Sequence, residues 1–278
     1  MTLKIACVQS NIIARNPQEN YKHLDELFNK IQDDRDIIIL PETFTTGFPA
    51  EPEHFAEDEN GATMAWLRAK AKEKNSVICG SFISQRDTKS PSHQVQSQSH
   101  CQSFYNTLVW MNPDGSYHTY DKRHTFSMGG EKDLDNGKEL LTIEYKGWRI
   151  RPFICYDLRF PVWLRNNYHE GNFEYDLAIL IANWPMQKSY IWNTLLSARA
   201  IENQAYFVGV NRVGIDHNNI PYIGETKVVD GKGRTVAELR GDKEDVLEIE
   251  IDKQPLMDFR NYFTVHKDWD NFLLNLQK

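Results

Sequence analysis

Long apolar runs are scarce in this 278-residue chain. The longest aliphatic run, Leu177–Ala182, is far too short to cross a bilayer. The first residues, Met1–Ile5, enter a strand-like pattern directly and contain no signal-peptide apolar segment. We therefore expect a cytoplasmic protein with no membrane partner.

Cysteine is also rare, with four widely spaced residues. No pair has the short spacing of a zinc site or a redox motif. Cys7 and Cys79 lie in apolar runs and are expected to be small buried hydrophobic residues, whereas Cys101 lies in a polar stretch and is expected to be exposed. The sequence thus implies reduced thiols and no metal.

Basic stretches and glycine-rich phosphate loops are absent as well. The net charge is −7, and no run of lysine and arginine is interleaved with aromatics, which argues against a nucleic-acid partner. Asp230–Gly233 is typical of a hairpin turn rather than of a phosphate loop. Asp133 and Asp135 miss the register of a calcium loop. No cofactor is implied.

The residues that are present alternate between strand and helix patterns early in the chain, with hairpins between and after them. Asn16 and Pro17 begin a helix, and apolar residues then recur at helical spacing. The mixture predicts an α/β protein with helices outside buried strands. No linker separates two cores, so we expect one domain over residues 1–278. The predicted strands cover residues 3–9, 37–40, 77–84, 104–111, 116–120, 140–145, 148–154, 177–182, 205–212, 222–229, 235–239 and 246–251, and the later helices cover 62–74, a segment after Pro161, and 188–203.

Residues 85–103 differ from the rest, being rich in Ser, Gln and His. We interpret them as a polar loop inserted between two strands. His93, His100 and Cys101 form an alternative set of metal ligands, but a solvated loop is much favoured by the composition.

Three reactive residues follow apolar strands: Glu42, Lys122 and Cys155. A thiol at a strand tip that opens a helix meets the positive end of the helix dipole, which favours thiolate. An ordinary thiol, with a pKa of about 8.5, needs a base or a cation at neutral pH. Glu42 is suited to be that base, and Lys122 is suited to stabilise the thiolate and an oxyanion. The trio therefore predicts acyl transfer at one shared centre.

The blocks around these residues, Leu40–Glu42, Tyr120–His124 and Ile154–Pro161, resemble the three signature blocks of the nitrilase (carbon–nitrogen hydrolase) superfamily. The likeness extends from Ile5 to about Ile251. A narrower resemblance to the ω-amidases of the amidase branch is carried by residues 157–163, 182–185 and 198–205. The resemblance implies a four-layer αββα sandwich of two mixed β-sheets.

The resemblance also implies roles for single residues. Glu42 becomes the general base, Lys122 the transition-state stabiliser and Cys155 the nucleophile. The backbone N–H of Tyr156 would complete the oxyanion hole. Glu131 matches a second glutamate of the family, which would bind Lys122 or orient the substrate amine and the attacking water.

The substrate pocket is expected to be built from loops that follow strands, with Phe48, Phe126, Met128, Asn183 and Trp184 as candidate lining residues. Arg159 is suited to bind a substrate carboxylate. The alternative is that Arg159 pairs with Asp157 or Glu202 as scaffolding.

We therefore predict a cysteine amidohydrolase that cleaves the terminal amide of small ω-amido acids, of the α-ketoglutaramate and α-ketosuccinamate type, through a Cys155 thioester. One alternative is a related amidase or carbamoyl hydrolase acting on another small amide. Another is a non-catalytic scaffold that binds a metabolite or a protein. The family resemblance implies a homodimer, with the C-terminal extension from about 252 to 278 as a candidate interface.

Overall fold

The computed structural model describes residues 1–48, 52–88, 101–270 and 272–274, with backbone only at 87, 88 and 101. The loop interpretation of 89–100, together with the ligand alternative for His93 and His100 and the exposure expected of Cys101, lies outside what is described.

Two six-stranded mixed sheets form the centre of the fold. Their orders are β16-β1-β2-β3-β4-β5 and β15-β14-β11-β10-β7-β6, and two short ribbons pair β8 with β9 and β12 with β13. The strands in the described residues are β1 (Thr2–Gln9), β2 (Ile37–Ile39), β3 (Val77–Thr88), β4 (Cys101–Met111), β5 (Tyr117–Asp121), β6 (Ile143–Tyr145), β7 (Trp148–Ile154), β8 (Tyr168–His169), β9 (Asn172–Phe173), β10 (Leu177–Ala182), β11 (Tyr206–Asn211), β12 (Val213–Ile215), β13 (Pro221–Ile223), β14 (Lys227–Val229), β15 (Thr235–Glu238) and β16 (Asp245–Asp252).

Helices cover the outer faces of both sheets. In the described part of the chain they are α1 (Pro17–Phe28), α2 (Pro52–Phe55), α3 (Ala62–Lys74), α4 (Pro161–Leu164), α5 (Ser189–Asn203) and α6 (Gln254–Tyr262), with 3₁₀ turns at Ser127–Gly129, Cys155–Arg159, Met186–Lys188 and Val265–Asp268. Asn16 caps α1 as predicted, because its side chain accepts the Glu19 N–H. None of the helices described here is long and apolar enough to span a membrane.

Strand alternation explains why the layers stack. In β1, Ile5 and Cys7 face the second sheet, while Ala6 and Val8 face α1 and α3. Aromatic side chains join the two sheets, and the Tyr120 and Phe153 rings lie 6.2 Å apart. On the far side, α5 packs against the second sheet within the same apolar cluster. The predicted four-layer αββα sandwich is therefore confirmed.

Several predicted boundaries need correction. The bounds predicted for the loop, 85–103, are wrong at both ends, because β3 continues to Thr88 and β4 begins at Cys101, with Gln85 paired to Phe104. Backbone pairing with the neighbouring strand decided these residues against their polar composition. The single strand predicted over 222–229 is divided into β13 and β14, and α6 was not predicted at all.

Candidate active site

The three reactive residues predicted from the sequence meet at one edge of the sandwich. Glu42 follows β2, Lys122 follows β5 and Cys155 follows β7. Strands β1, β2 and β3 are parallel, and two antiparallel pairings through β4 give β5 the same direction. The carboxyl ends of these strands therefore share an edge, to which β7 and β10 of the other sheet also bring their ends.

The Lys122 ammonium lies between two glutamates. Its Nζ is 2.7 Å from Glu42 Oε1 and 2.9 and 2.8 Å from Glu131 Oε1 and Oε2. All three side chains are buried. Three charge-assisted hydrogen bonds in a site shielded from water hold the ammonium firmly. The structure thus brings Glu131 into the cluster that the sequence predicted.

Two asparagines hold the Glu42 carboxylate in place. Asn106 Nδ2 donates to Glu42 Oε1 at 2.9 Å and to Glu131 Oε1 at 3.0 Å. The backbone N–H of Asn183 donates to Glu42 Oε2 at 2.7 Å, and its side-chain Nδ2 donates to the Glu42 carbonyl oxygen at 3.1 Å. Asn106 was missed by the sequence analysis. The sequence does carry a signal for it. Asn106 is a polar residue on the same face of its strand as Leu108 and Trp110, which face the core between the sheets.

Cys155 opens a five-residue 3₁₀ turn with φ of +45°, in the left-handed region that residues with a Cβ rarely adopt. Its Sγ lies 3.9 Å from the Asn183 carbonyl oxygen. Asp157 holds the turn in place, because its Oδ2 accepts the Ile154 N–H at 3.1 Å. A non-glycine residue in such a conformation is typical of a functional position.

The thiol is not activated in the way that the sequence analysis expected. Burial raises the pKa of Cys155 well above its ordinary value, the Glu42 charge adds to the rise, and Lys122 opposes it. The short 3₁₀ turn replaces the predicted helix, so a strong helix dipole does not favour thiolate here. Cys155 is therefore a neutral thiol at rest, and a base must take its proton before it can act as a thiolate.

The pKa of the neighbouring carboxylate fits this requirement. Burial raises the pKa of Glu42 above its ordinary value, and the charge of Glu131 raises it further, while Lys122 opposes both. For Lys122, burial lowers the pKa, but Glu131 and Glu42 together outweigh burial and raise it. The site therefore combines a permanent cation with a carboxylate whose proton affinity is greater than usual.

A pocket of about 150 Å³ opens above the thiol. Five of the six candidate substrate residues line it, and Met128 does not, because its side chain is 83% exposed. Further residues that the sequence analysis did not single out complete the wall: Gly129, Pro185, Lys188, Asp216, Asn218, Ile220 and Tyr222. The last four come from the β12–β13 ribbon and its turn, which no motif near the catalytic blocks identifies.

Arg159 lies on the pocket wall with its guanidinium 5.1 Å from the Trp184 ring centre and 6.0 Å from that of Tyr156. The two partners considered for a scaffolding role are engaged elsewhere. Asp157 accepts from Tyr120, His124 and Ile154, and Glu202 pairs with Arg199 at 3.2 Å. Among the described side chains, no carboxylate forms an ion pair with Arg159.

The site places a buried thiol beside an ion-paired lysine and two glutamates at one edge of the αββα sandwich. Amide hydrolysis through a covalent intermediate needs such groups: a nucleophile, a base and a cation that stabilises an oxyanion. The sequence model of the carbon–nitrogen hydrolase family matches residues 4–261 of this chain. The chain belongs to the carbon–nitrogen hydrolase family, as the sequence blocks predicted, and is an amide hydrolase.

Individual relatives resemble the chain over nearly its whole length. Omega-amidase YafV of Yersinia enterocolitica is 39% identical over 274 residues, which are 98% of this chain and 99% of that protein. The 2-oxoglutaramate amidase of Bacillus subtilis (strain 168) is 29% identical over 272 residues, 96% and 98% of the two chains. XC1258 of Xanthomonas campestris, a CN-hydrolase superfamily protein solved with an arsenic adduct in its active site, superposes with a TM-score of 0.89 at 38% identity and covers 99% of this chain and 100% of its own.

Proposed function

We propose that this protein is an ω-amidase, which hydrolyses the terminal amide of a short 2-oxo dicarboxylic acid monoamide to the dicarboxylate and ammonia. The observation that carries the proposal is the position of Arg159, a cation without a carboxylate partner among the described residues, on the wall of the pocket that holds Cys155. The similarity to Omega-amidase YafV and to a 2-oxoglutaramate amidase over nearly the full chain supports it.

In the mechanism that this geometry favours, Glu42 takes the thiol proton while Cys155 Sγ attacks the amide carbon. Lys122 Nζ and the Tyr156 N–H then stabilise the oxyanion of the tetrahedral intermediate. As the C–N bond breaks, protonated Glu42 gives its proton to the leaving nitrogen and ammonia departs. Water attacks the thioester, Glu42 accepts a water proton, and collapse releases the acid and returns the thiol.

Glu131 has a supporting role in this scheme. Its two oxygens contact Lys122, and its Oε2 also accepts the Phe126 N–H at 2.6 Å. It therefore links the ammonium to a loop of the pocket wall and keeps Lys122 pointing at the reaction centre.

Substrate selection follows from the two ends of the pocket. The amide end meets Cys155 and Lys122, and the carboxylate end meets the Arg159 guanidinium, with Trp184 and Phe126 between them. Phe48 and Asn183 complete the candidate binding set. A short chain fits such a pocket, and a bidentate contact with arginine gives preference to a distal carboxylate.

The direct test is ammonia release from a panel in which the distal group and the reacting group vary separately. The panel contains 2-oxo monoamides, saturated monoamides, neutral amides of equal length, carbamoyl acids and nitriles. We expect the 2-oxo monoamides to have the highest kcat/KM. Preference for carbamoyl acids or neutral amides would instead support a related amidase, and no turnover by purified wild-type protein of any member would support a non-catalytic binding scaffold.

We further propose that residues 1–278 form one catalytic domain of a cytoplasmic homodimer. The continuous apolar cluster that joins both sheets supports a single domain, and the free thiols of Cys7, Cys79 and Cys155 suit a reducing compartment. Light scattering on the purified protein tests the dimer, and a monomeric mass at working concentration would refute it.

A further inference from the structure

We propose that Asn106 is a positioning residue that sets the proton affinity of Glu42 and decides which of its oxygens acts as the base. This inference rests on the proposed role of Glu42 and extends it to a residue outside the signature blocks. Asn106 is fully buried in β4.

Backbone pairing places Asn106 beside the cation. Strands β4 and β5 are antiparallel, with Thr107 opposite Asp121. Lys122 comes directly after β5, and its backbone N–H donates to the Asn106 carbonyl at 2.9 Å. The Asn106 side chain then reaches the two carboxylates that flank the Lys122 ammonium. Asn106 therefore contacts both glutamates through its side chain and the Lys122 backbone through its carbonyl oxygen.

The two contacts of the Asn106 amide group are both directed at carboxylates. Its Nδ2 donates to Glu42 and to Glu131, whereas its buried Oδ1 has no hydrogen-bond partner among the described residues. A buried acceptor without a partner is unfavourable, because it gives up its hydrogen bonds to water and gains none in return. An apolar side chain of similar size would fill the same space without an unpaired acceptor. We infer that the site requires the two hydrogen bonds that Asn106 donates.

The two carboxylate oxygens of Glu42 have different hydrogen-bond partners. Oε1 accepts from Lys122 Nζ and from Asn106 Nδ2, which occupies both of its lone pairs. Oε2 accepts the Asn183 N–H and keeps a second lone pair for the thiol proton. We assign Oε2 as the oxygen that takes the Cys155 proton. The Asn183 peptide supports this assignment, because its N–H holds Oε2 while its carbonyl oxygen faces Cys155 Sγ.

Hydrogen bonds donated to a carboxylate favour its charged form and lower its pKa. Burial raises the pKa of Glu42, while the Lys122 charge and the hydrogen bonds from Lys122 and the Asn183 N–H oppose this rise. The hydrogen bond that Asn106 donates to the same carboxylate should act in the same direction. Without Asn106, Glu42 would keep its proton to a higher pH, and the thiol would lack its base up to that pH. The acid limb of the pH profile, where Glu42 becomes deprotonated, therefore reports on Asn106.

The test uses Asn106→Leu, which is close in size and removes both hydrogen bonds that the Asn106 side chain donates. The readouts are the acid limb of kcat/KM for the best amide of the panel and the p-nitrophenol burst as p-nitrophenyl acetate acylates Cys155. We expect the acid limb of kcat/KM and that of the burst to move to higher pH by about one to two pH units. This is the shift expected for the loss of one charge-assisted hydrogen bond. Asn106→Gln, which keeps the amide, should recover part of the shift.

Asn166→Leu is the matched control, since Asn166 is also fully buried and donates its Nδ2 to the Tyr175 and Asn203 carbonyls outside the site. It should lower the melting temperature and leave the limb in place. An unmoved limb in folded Asn106 variants overturns the inference, and so does failure of every Asn106 variant to fold while Asn166→Leu folds. The burst needs no ω-amide, so the inference survives if the panel rejects ω-amides but the burst limb still shifts.

Discussion

At the scale of single residues, the site combines groups that would be unfavourable in isolation. Burying Lys122 is tolerable only because two carboxylates contact its ammonium, and those carboxylates in turn need Asn106, Asn183 and the Phe126 N–H as donors. Each partner therefore affects the proton affinity of the others, and the substitution of one partner should appear in the pH dependence of the reaction.

Glu131 offers such a substitution, because its charge raises the pKa of Glu42. Turnover needs ionised Glu42, so wild-type activity should rise as the pH passes upward through that raised pKa. Glu131→Gln removes the neighbouring charge and should move the acid limb to lower pH, opposite to the Asn106 variants. It should also lower kcat about ten- to a hundredfold, because Lys122 loses two ionic contacts. The pH profile of kcat/KM is the measurement.

Glu174→Gln is the control for that profile, since Glu174 pairs with Arg151 at 3.1 Å outside the catalytic cluster. Its acid limb should coincide with that of the wild type. A limb that moves upward in Glu131→Gln would contradict the proposed coupling between the two glutamates.

Arg159 is the residue whose substitution should change substrate preference. Arg159→Lys should raise KM for a dicarboxylic monoamide more than for a neutral amide of equal length, and Arg159→Met should widen the difference to roughly ten- to a hundredfold, the range of one charge-assisted contact. KM values for the two substrates in each variant decide the matter. Equal losses for both substrates would make Arg159 scaffolding, and the pocket residue Lys188 would become the next candidate.

At the scale of elements, the junction between β7 and the Cys155–Arg159 turn carries the functional strain. The chain leaves an extended strand and enters the left-handed region at Cys155, and Asp157 joins this turn to β5 and the residues after it through Tyr120 and His124. The thiol and the ammonium are therefore held by one network of hydrogen bonds.

The strain at Cys155 predicts an order of stability among inactive variants. Cys155→Ala and Cys155→Gly should both lose turnover by at least about a thousandfold, because the thiol forms the covalent bond. Glycine adopts φ of +45° without strain, so Cys155→Gly should be more stable than Cys155→Ala by about 1 kcal/mol. Urea denaturation of the two variants measures this difference.

The control is an alanine-to-glycine substitution at a position with ordinary strand geometry. Ala178→Gly, within β10, should destabilise the protein as glycine usually does in a strand. If Cys155→Gly is instead the less stable of the two Cys155 variants, the turn does not store strain at the nucleophile.

At the scale of the whole molecule, the C-terminal residues are integrated into the sandwich. Strand β16 pairs with β1 along its full length, and α6 returns to the second sheet. Arg260 of α6 is buried, contacts Asp176 Oδ1 at 2.6 Å and donates to the carbonyls of Gln204 and Tyr175. The start of the predicted C-terminal extension is therefore part of the packed structure.

Removal of that buried arginine should affect stability and leave the chemistry unchanged. Arg260→Ala leaves the buried Asp176 with less compensation and should destabilise the fold by about 3–5 kcal/mol, with kcat of the folded protein retained. Arg240→Ala, which removes an arginine that is 87% exposed and paired with Glu238, should change stability by less than about 1 kcal/mol. Thermal melting compares the two, and similar effects would contradict the anchoring role of α6.

The sequence by itself determined the class of fold and the positions of Glu42, Lys122 and Cys155. Each of these residues lies one or two positions beyond the end of a predicted strand, and such local patterns survive in any packing of those strands. The boundaries of α3, β7 and β10 follow from the same local patterns, and the structure confirms them.

Only the tertiary structure decided how these residues act on one another. Asn106 and Glu42 are 64 residues apart, and the Asn183 N–H reaches Glu42 across 141 residues, so no local pattern connects them. Local patterns also do not show that burial raises the pKa of Cys155, that Glu202 pairs with Arg199 rather than with Arg159, or that Met128 is exposed. Burial and charge at a point in space depend on which strands lie side by side, and that arrangement exists only after the two sheets have packed.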